Sequence, residues 1–491
     1  MSHDLTLTVD IGTSSCKVCV FDSQGMIRSS GKREYPILSS HPSFAEQDPR
    51  TIEAAIVEAV REAVAPHPFG AISAMAFDTM LHSFLLVDKA GEPLSPLVIW
   101  MDTRSAGEVE ELRQDFAAQN LYARCGAPLH TIYHLPRLRW FRKNEKELLG
   151  RVGSIVSIKD WLLHRLTGTS GEDRSTASGT GLLNLSTLEY DPDILELVGL
   201  RENIFSPLCD PEFSAPLLKG AFSRAAGLRD GLPVVWGGGD GPLANLGEGV
   251  CRPGEMLVTV GSSGAVRMAV PGPVFDPHHR SWCYYLADGL YVGGGAINNG
   301  GIVYSWIRDL LGGGAEVTID LHRPRPLFLP LLAGERSPHW NAYARGIFFG
   351  LSYFHNREAL LQSALEGVGF QVRSIYDMLQ EVMGEAQRVV LSGGFAISGP
   401  GRRVLTDILG RTVEVSGLPS ASARGAFLLS RKALGEIRSL REVPAAFFPA
   451  REKEEPLSER KAFYDKLYAF YEKIYRQSVE LFREFAEFGL G

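Results

Sequence analysis

The stretch Val234-Val-Trp-Gly-Gly-Gly-Asp-Gly-Pro-Leu-Ala-Asn-Leu-Gly247 sits close to the middle of a 491-residue chain and joins a short apolar run to three glycines and one carboxylate. Val234 to Trp236 read as the end of a strand. Gly237, Gly238 and Gly239 let the backbone pass close to a ligand, because a residue without Cβ reaches dihedrals that others avoid. Asp240 then stands at the mouth of that strand, where a carboxylate suits a general base or a Mg²⁺ partner in phosphoryl transfer. A glycine turn closed by a helix-capping Asp is the plainer reading of the same residues. The rest of the chain decides between them.

Leu5, Leu7 and Val9 alternate with Thr6, Thr8 and Asp10, and Val18 and Val20 resume this period of two after Ile11-Gly-Thr-Ser-Ser15, so two strands and a tight turn are expected. The hairpin tip carries Asp10, Gly12, Thr13, Ser14 and Ser15. Successive N–H groups and hydroxyls there suit a phosphate, and Asp10 suits a hydrated Mg²⁺. A P-loop is excluded, because this turn joins two strands rather than a strand and a helix. Met256-Leu-Val-Thr-Val-Gly-Ser-Ser-Gly-Ala-Val-Arg-Met-Ala-Val270 reads as a second copy, with Gly261 set against Gly12 and Thr259 against Asp10. Ser262 and Ser263 are then placed to meet a phosphate from the far side. Such duplication predicts two related lobes, each giving a hairpin to one cleft.

Ligands of open α/β sheets collect at strand ends. A strand over Ala71 to Phe77 ends in Asp78-Thr-Met-Leu-His-Ser83, which offers His82 and Ser83 to substrate hydroxyls. Val98-Ile-Trp-Met-Asp-Thr-Arg104 repeats the layout. There the Trp100 indole suits the C–H face of a polyol, while Asp102 and Arg104 suit hydroxyls or a carboxylate, or else form a buried ion pair. His130, Tyr133 and His134 follow in a loop-rich segment, and a helix is expected over Ile155 to Leu166. Arg388 to Ala396 reads as a strand ending in Gly393 and Gly394, a turn that a nucleotide can approach closely. Asn298, Asn299 and Gly300 open a helix, and Ser420 to Ala426 begin a small-residue helix suited to packing between lobes. Pro456 to about Phe485 form a charged amphipathic helix whose ordinary role is packing; a homodimer contact is its second reading.

The formal charge of −7 and a pI near 6 argue against a nucleic-acid surface, so attraction for an anionic substrate has to be local. Glycine takes 52 of the 491 positions, where about 7% is usual, and the excess falls in tight turns. The six cysteines are scattered, as in a protein of a reducing compartment. Met1-Ser-His-Asp-Leu shows no basic region before an apolar core, and no run of 18 apolar residues occurs. A cytoplasmic protein without membrane partners is expected.

In this order the segments resemble the FGGY family of carbohydrate kinases, within the actin, hexokinase and heat-shock ATPase superfamily. The resemblance runs from about Leu5 to Ala433. Leu7-Thr-Val-Asp-Ile-Gly-Thr-Ser-Ser15 is similar to the first phosphate motif, Trp236-Gly-Gly-Gly-Asp-Gly241 to the second, and Leu391-Ser-Gly-Gly-Phe395 to the adenosine motif. Gly346-Ile-Phe-Phe-Gly-Leu351 with Ser363-Ala-Leu-Glu366 resembles the C-terminal signature, from which Ala359 departs where a polar residue is usual. The implied fold is α/β, with two ribonuclease H-like lobes, residues 1–246 and 247–491, around a central cleft. The implied activity is transfer of the ATP γ-phosphoryl group to a terminal hydroxyl of an open-chain sugar or sugar acid. Asp240 would be the base, and Asp10 with Asp240 would hold Mg²⁺. Gly12, Thr13, Ser14, Gly261, Ser262, Gly300, Gly393, Gly394 and Ser398 would bind the nucleotide. His82, Trp100, Asp102, Arg104, Tyr133 and Asp240 would bind the sugar.

His82-Ser83, Trp100 to Ser105, Asp240 to Gly247 and Gly334-Glu-Arg-Ser-Pro338 look most like gluconokinase members of the family, which phosphorylate gluconate to 6-phosphogluconate. On that resemblance His82 and Arg104 would meet the sugar-acid carboxylate. Xylulose or another pentulose or polyol is the alternative substrate. An actin-like ATPase and a silent sugar-binding regulator are the other classes; the strand-end residues His82, Trp100 and Arg104 argue against the first, and the retained Asp10 and Asp240 against the second.

Overall fold

The computed structural model describes residues 4–115, 120–314 and 317–488. Met1 to His3, the start of the stretch read above for a leader, lie outside the described residues. Two mixed sheets form the core, and their strands are laid out alike. In the first, the order is Ser214–Pro216, Pro233–Gly239, Ile72–Thr79, Leu5–Ile11, Ser15–Phe21, Ile27–Glu34. In the second it is Glu452–Glu454, Val413–Val415, Arg388–Ser392, Glu255–Val260, Gly264–Val270, Leu290–Ile297, Trp282–Ala287. Each sheet contains an antiparallel hairpin extended by one antiparallel strand on one side and by two parallel strands on the other. The duplication read from the two hairpins therefore extends to five strands per lobe.

Local chemistry explains most element bounds. The helix Pro49–Val64 starts where Asp48 accepts the amide of Arg50 and proline takes the first turn. Asn356 caps Arg357–Met383 in the same way, through the amide of Ala359. The expected helix over Ile155 to Leu166 is instead a strand, Ser154–Val156, followed by a helix, Ile158–Thr167. Ile155 pairs with Leu86, and Ser157 caps the helix through the amide of Asp160, so chain direction changes at that serine. The last helix, Ser458–Glu487, buries Tyr464, Tyr471 and Phe482 in the core of the second lobe, which is a packing role.

The lobes interlock rather than abut. The helix Asp240–Gly247 crosses Ala421–Ala433, a helix from the far end of the chain, which also packs on the central strands of the first sheet. A Cβ on Gly247 would lie 1.8 Å from the Ala421 carbonyl oxygen, and one on Gly425 would lie 2.1 Å from that of Leu243. Only glycine permits such a crossing. Phe427 of the second helix stacks on Phe21 of the first sheet at 5.0 Å. The small-residue stretch thus packs between lobes as expected, and one hydrophobic core is shared by both halves of the chain.

Candidate active site

Three parallel strands of the first sheet end side by side, and each end carries a carboxylate. Asp10 pairs in register with Asp78, Gly238 lies opposite Asp78, and Asp240 follows two residues later at the start of its helix. A bulge between Val235 and Gly238 produces this ending. Gly237 turns there with φ of 69°, and a Cβ on it would lie 1.6 Å from the Phe77 carbonyl oxygen. The first of the three glycines of the opening stretch therefore sets where Asp240 stands.

Asp240 lines a cavity of about 380 Å³ together with Thr13 from the first hairpin tip and Ser262 from the second, a volume within the usual range for small-molecule sites. Burial, and then the charge of Asp10, push the Asp240 carboxyl up to about 6. Its Oδ1 accepts the amide of Gly241 at 2.7 Å. Burial also raises Asp10, whose Oδ2 accepts from Ser422 of the crossing helix at 3.2 Å. Asp78 is fully buried and is pushed well above the usual carboxylate range by burial and by Asp10. Neither of its oxygens has a geometrically defined hydrogen-bond partner.

His82 has a left-handed backbone, with φ of 65°, uncommon for a residue with a side chain. Its Nδ1 lies 2.6 Å from the Gly179 carbonyl and must donate to it. Burial foremost, with nearby arginines, depresses its pKa to about 3. The imidazole is neutral at physiological pH, and Nε2 is left as an acceptor. It suits a hydroxyl and not, as expected from sequence, a carboxylate. Trp100 also lines the cavity, its indole donating to the Thr13 hydroxyl at 2.8 Å.

Asp102 and Arg104 are not brought to the cavity. Arg104 is 3% exposed, pairs with Asp102 and with Glu46, and lies 3.7 Å from the Phe44 ring centre. Asp102 in turn accepts the amide of Ala45 at 2.9 Å. These two residues form the buried ion pair, and both charges are spent fixing the segment behind Trp100. Tyr133 is likewise buried behind the cavity wall, its hydroxyl 2.8 Å from that of Tyr284, which does line the cavity.

On the nucleotide side, the amide of Gly12 donates to Ser15 and that of Gly261 to Ser263, so these two close their own turns. Gly300 donates to the Ser262 carbonyl, and a Cβ there would lie 2.7 Å from the Ser263 oxygen. Gly393, with φ of 88°, passes 2.6 Å from the Val260 oxygen by the same measure, while nothing lies within 4 Å of a Cβ on Gly394. Gly300 and Gly393 are thus spacers against the second hairpin, and Gly394 faces open space. Ser398 caps the helix Gly399–Leu409 through the amide of Gly401, which occupies its hydroxyl. Ser14 is exposed at its hairpin tip.

The cavity wall also carries two arginines to which the sequence assigned no role, Arg267 and Arg336. Arg267 comes from the strand Gly264–Val270, whose other residues are all buried, and an arginine amid such neighbours is the signal that marks it. Arg336 lies over the Trp100 ring at 5.5 Å. Asp78 was legible only as a polar residue at a strand end; its register with Asp10 requires the parallel pairing.

Two lobes of one strand layout, each sending a hairpin tip to a cavity that also holds a carboxylate, make an arrangement suited to phosphoryl transfer. Residues 5–247 match the N-terminal domain of the FGGY family of carbohydrate kinases and residues 256–434 its C-terminal domain. The chain belongs to that family, and it is an ATP-dependent sugar kinase. It is 34% identical over 461 residues to a gluconokinase of Bacillus subtilis, covering 88% of each chain. It is 27% identical to a xylulose kinase of Escherichia coli, covering 93% of this chain and 95% of that one. The crystal structure of a gluconate kinase from Lactobacillus acidophilus superposes with a TM-score of 0.93 at 27% identity, over 98% of this chain and 99% of the other.

Proposed function

We propose that the chain phosphorylates gluconate on its terminal hydroxyl, giving 6-phosphogluconate. The observation that carries the chemistry is Asp240: a carboxylate pushed to about 6, at the floor of a cavity shared by both hairpin tips. Such a group is ionised at neutral pH and basic enough to take a proton. Asp240 removes the hydroxyl proton, the oxygen attacks the γ-phosphorus, and ADP departs. The greater similarity to gluconokinases than to xylulose kinases supports the choice of substrate.

Asp10 and Asp78 would hold a Mg²⁺ ion. Their carboxylates lie in register on neighbouring strands, and burial raises both, so a cation there would offset their charge. Among the described residues no cluster of three or more His, Cys, Asp or Glu side chains forms a metal cage, which agrees with the way Mg²⁺ uses one or two carboxylates plus phosphates and water. The ion would neutralise charge on the transferring phosphoryl group. Thr13 and Ser262 contact phosphate oxygens, while His82 Nε2 and Trp100 orient the sugar. All six cysteines are free, which suits the reducing cytoplasm where ATP is available.

Sugar-dependent ADP release tests the proposal across gluconate, xylulose, ribulose and glycerol. Gluconate should give the highest kcat/KM; a higher value for xylulose replaces it with the pentulose reading. With Asp240 as base, kcat/KM should fall tenfold per pH unit below about pH 6 and level off above it, because protonation removes the base. A profile flat from pH 5 to 8 would remove Asp240 from that role.

A further inference from the structure

Arg267 and Arg336 both stand on the cavity wall with Tyr284, and Arg336 lies close enough to feel Arg267 as a like charge. Both are largely buried, and the Nε of each is buried without a hydrogen-bond partner. Arg267 makes only a long contact, 3.4 Å, to the Thr259 hydroxyl, and Arg336 one of 3.4 Å to the Ile297 carbonyl. Among the described residues neither forms an ion pair, whereas the arginine behind Trp100, Arg104, is neutralised twice. Arg267 feels the charge of Asp240 without touching it. Arg336 has Trp100, Tyr284, His82 and His130 around it, and His82 and His130 are both neutral.

Two neighbouring guanidinium groups out of bulk water with no hydrogen-bonded ion-pair partner are costly, and the cost is reduced when an anion enters between them. The open face of both is the cavity that takes the sugar. We infer that Arg267 and Arg336 together bind the carboxylate of a sugar-acid substrate and so select it over neutral sugars of the same length. This rests on the gluconate reading above. It moves the carboxylate contact from His82 and Arg104, which are neutral and neutralised respectively, to the two cations that remain open. The reacting hydroxyl is then held at Asp240 by the other end of the chain.

The test measures binding of gluconate and of gluconamide, its uncharged isostere, by titration calorimetry, beside gluconate turnover. In the wild-type enzyme gluconate should bind at least tenfold tighter. Arg336→Met and Arg267→Met should each weaken gluconate about 10- to 100-fold, as for loss of a charged hydrogen-bonding partner, and change gluconamide less than threefold. Should a Met variant not fold, Arg336→Lys or Arg267→Lys carries the test, with a loss confined to gluconate and smaller in size. Equal weakening of both ligands, unchanged gluconate binding, or loss of ATP affinity in the Arg267 variant with gluconate affinity intact would each overturn the inference. A wild-type enzyme that turns over gluconate without preferring it to gluconamide overturns the clamp alone. One that does not turn over gluconate overturns the substrate reading and the clamp with it.

Discussion

Asp240→Asn should lower kcat on the preferred sugar by about 10²- to 10⁴-fold while ATP affinity stays within a few-fold of wild type. The amide preserves shape and the hydrogen bond from Gly241 but takes no proton, so alignment survives and base catalysis does not. Single-turnover phosphorylation and equilibrium ATP binding check the two halves; retention of more than about a hundredth of kcat rules out the base role. The same variant should be more stable than wild type at pH 7. A carboxyl whose pKa is about 6 when folded and 3.8 when exposed binds its proton more tightly in the native state. Wild-type stability therefore falls as pH rises from about 4 to 6, by up to about 3 kcal/mol, discounted for the water that reaches this partly exposed side chain. Asparagine lacks that loss, so the stability gap between the two proteins should close below about pH 4. Activity lost with stability gained separates a catalytic carboxylate from a structural one.

Gly237→Ala should be the most damaging small substitution in the first lobe. An added methyl would meet the Phe77 carbonyl oxygen at 1.6 Å, and the backbone is in the left-handed region that alanine disfavours. The obstacle is backbone of the adjacent strand, which cannot swing aside as a side chain would. Several kcal/mol is expected, enough to reduce soluble yield sharply or, where the protein folds, to displace Asp240 and depress kcat. Gly394→Ala is the matched control, since open space surrounds that position. Equal melting temperatures for the two variants would contradict this account.

Period-two alternation of residue type disclosed the first hairpin, although both of its faces are covered, Thr6 and Thr8 as fully as Leu7 and Val9, and the repeated glycine-rich tip disclosed the second lobe. The helix over Ile155 to Leu166 was misread because a three-residue strand merges with a helix into one apolar run; Ser157 is the cue, a capping residue inside it. Asp240 and Asp10 were legible because each stands at the end of a strand and adjoins a glycine turn. Asp102 and Arg104 were misassigned because an ion pair and a ligand site have the same residue types, and only burial separates them. Arg267 and Arg336 escaped because an open cation is defined by the carboxylates it lacks in space, which local sequence does not record.

The crossing of Asp240–Gly247 and Ala421–Ala433 bears on how this chain is made. Phe21 and the central strands of the first sheet gain part of their cover from a helix some four hundred residues later in the sequence. During synthesis that face stays bare until the chain beyond Ala433 has left the ribosome, and a fragment cut after residue 246 never covers it. Such a fragment should aggregate, and co-expression with the remainder should rescue it.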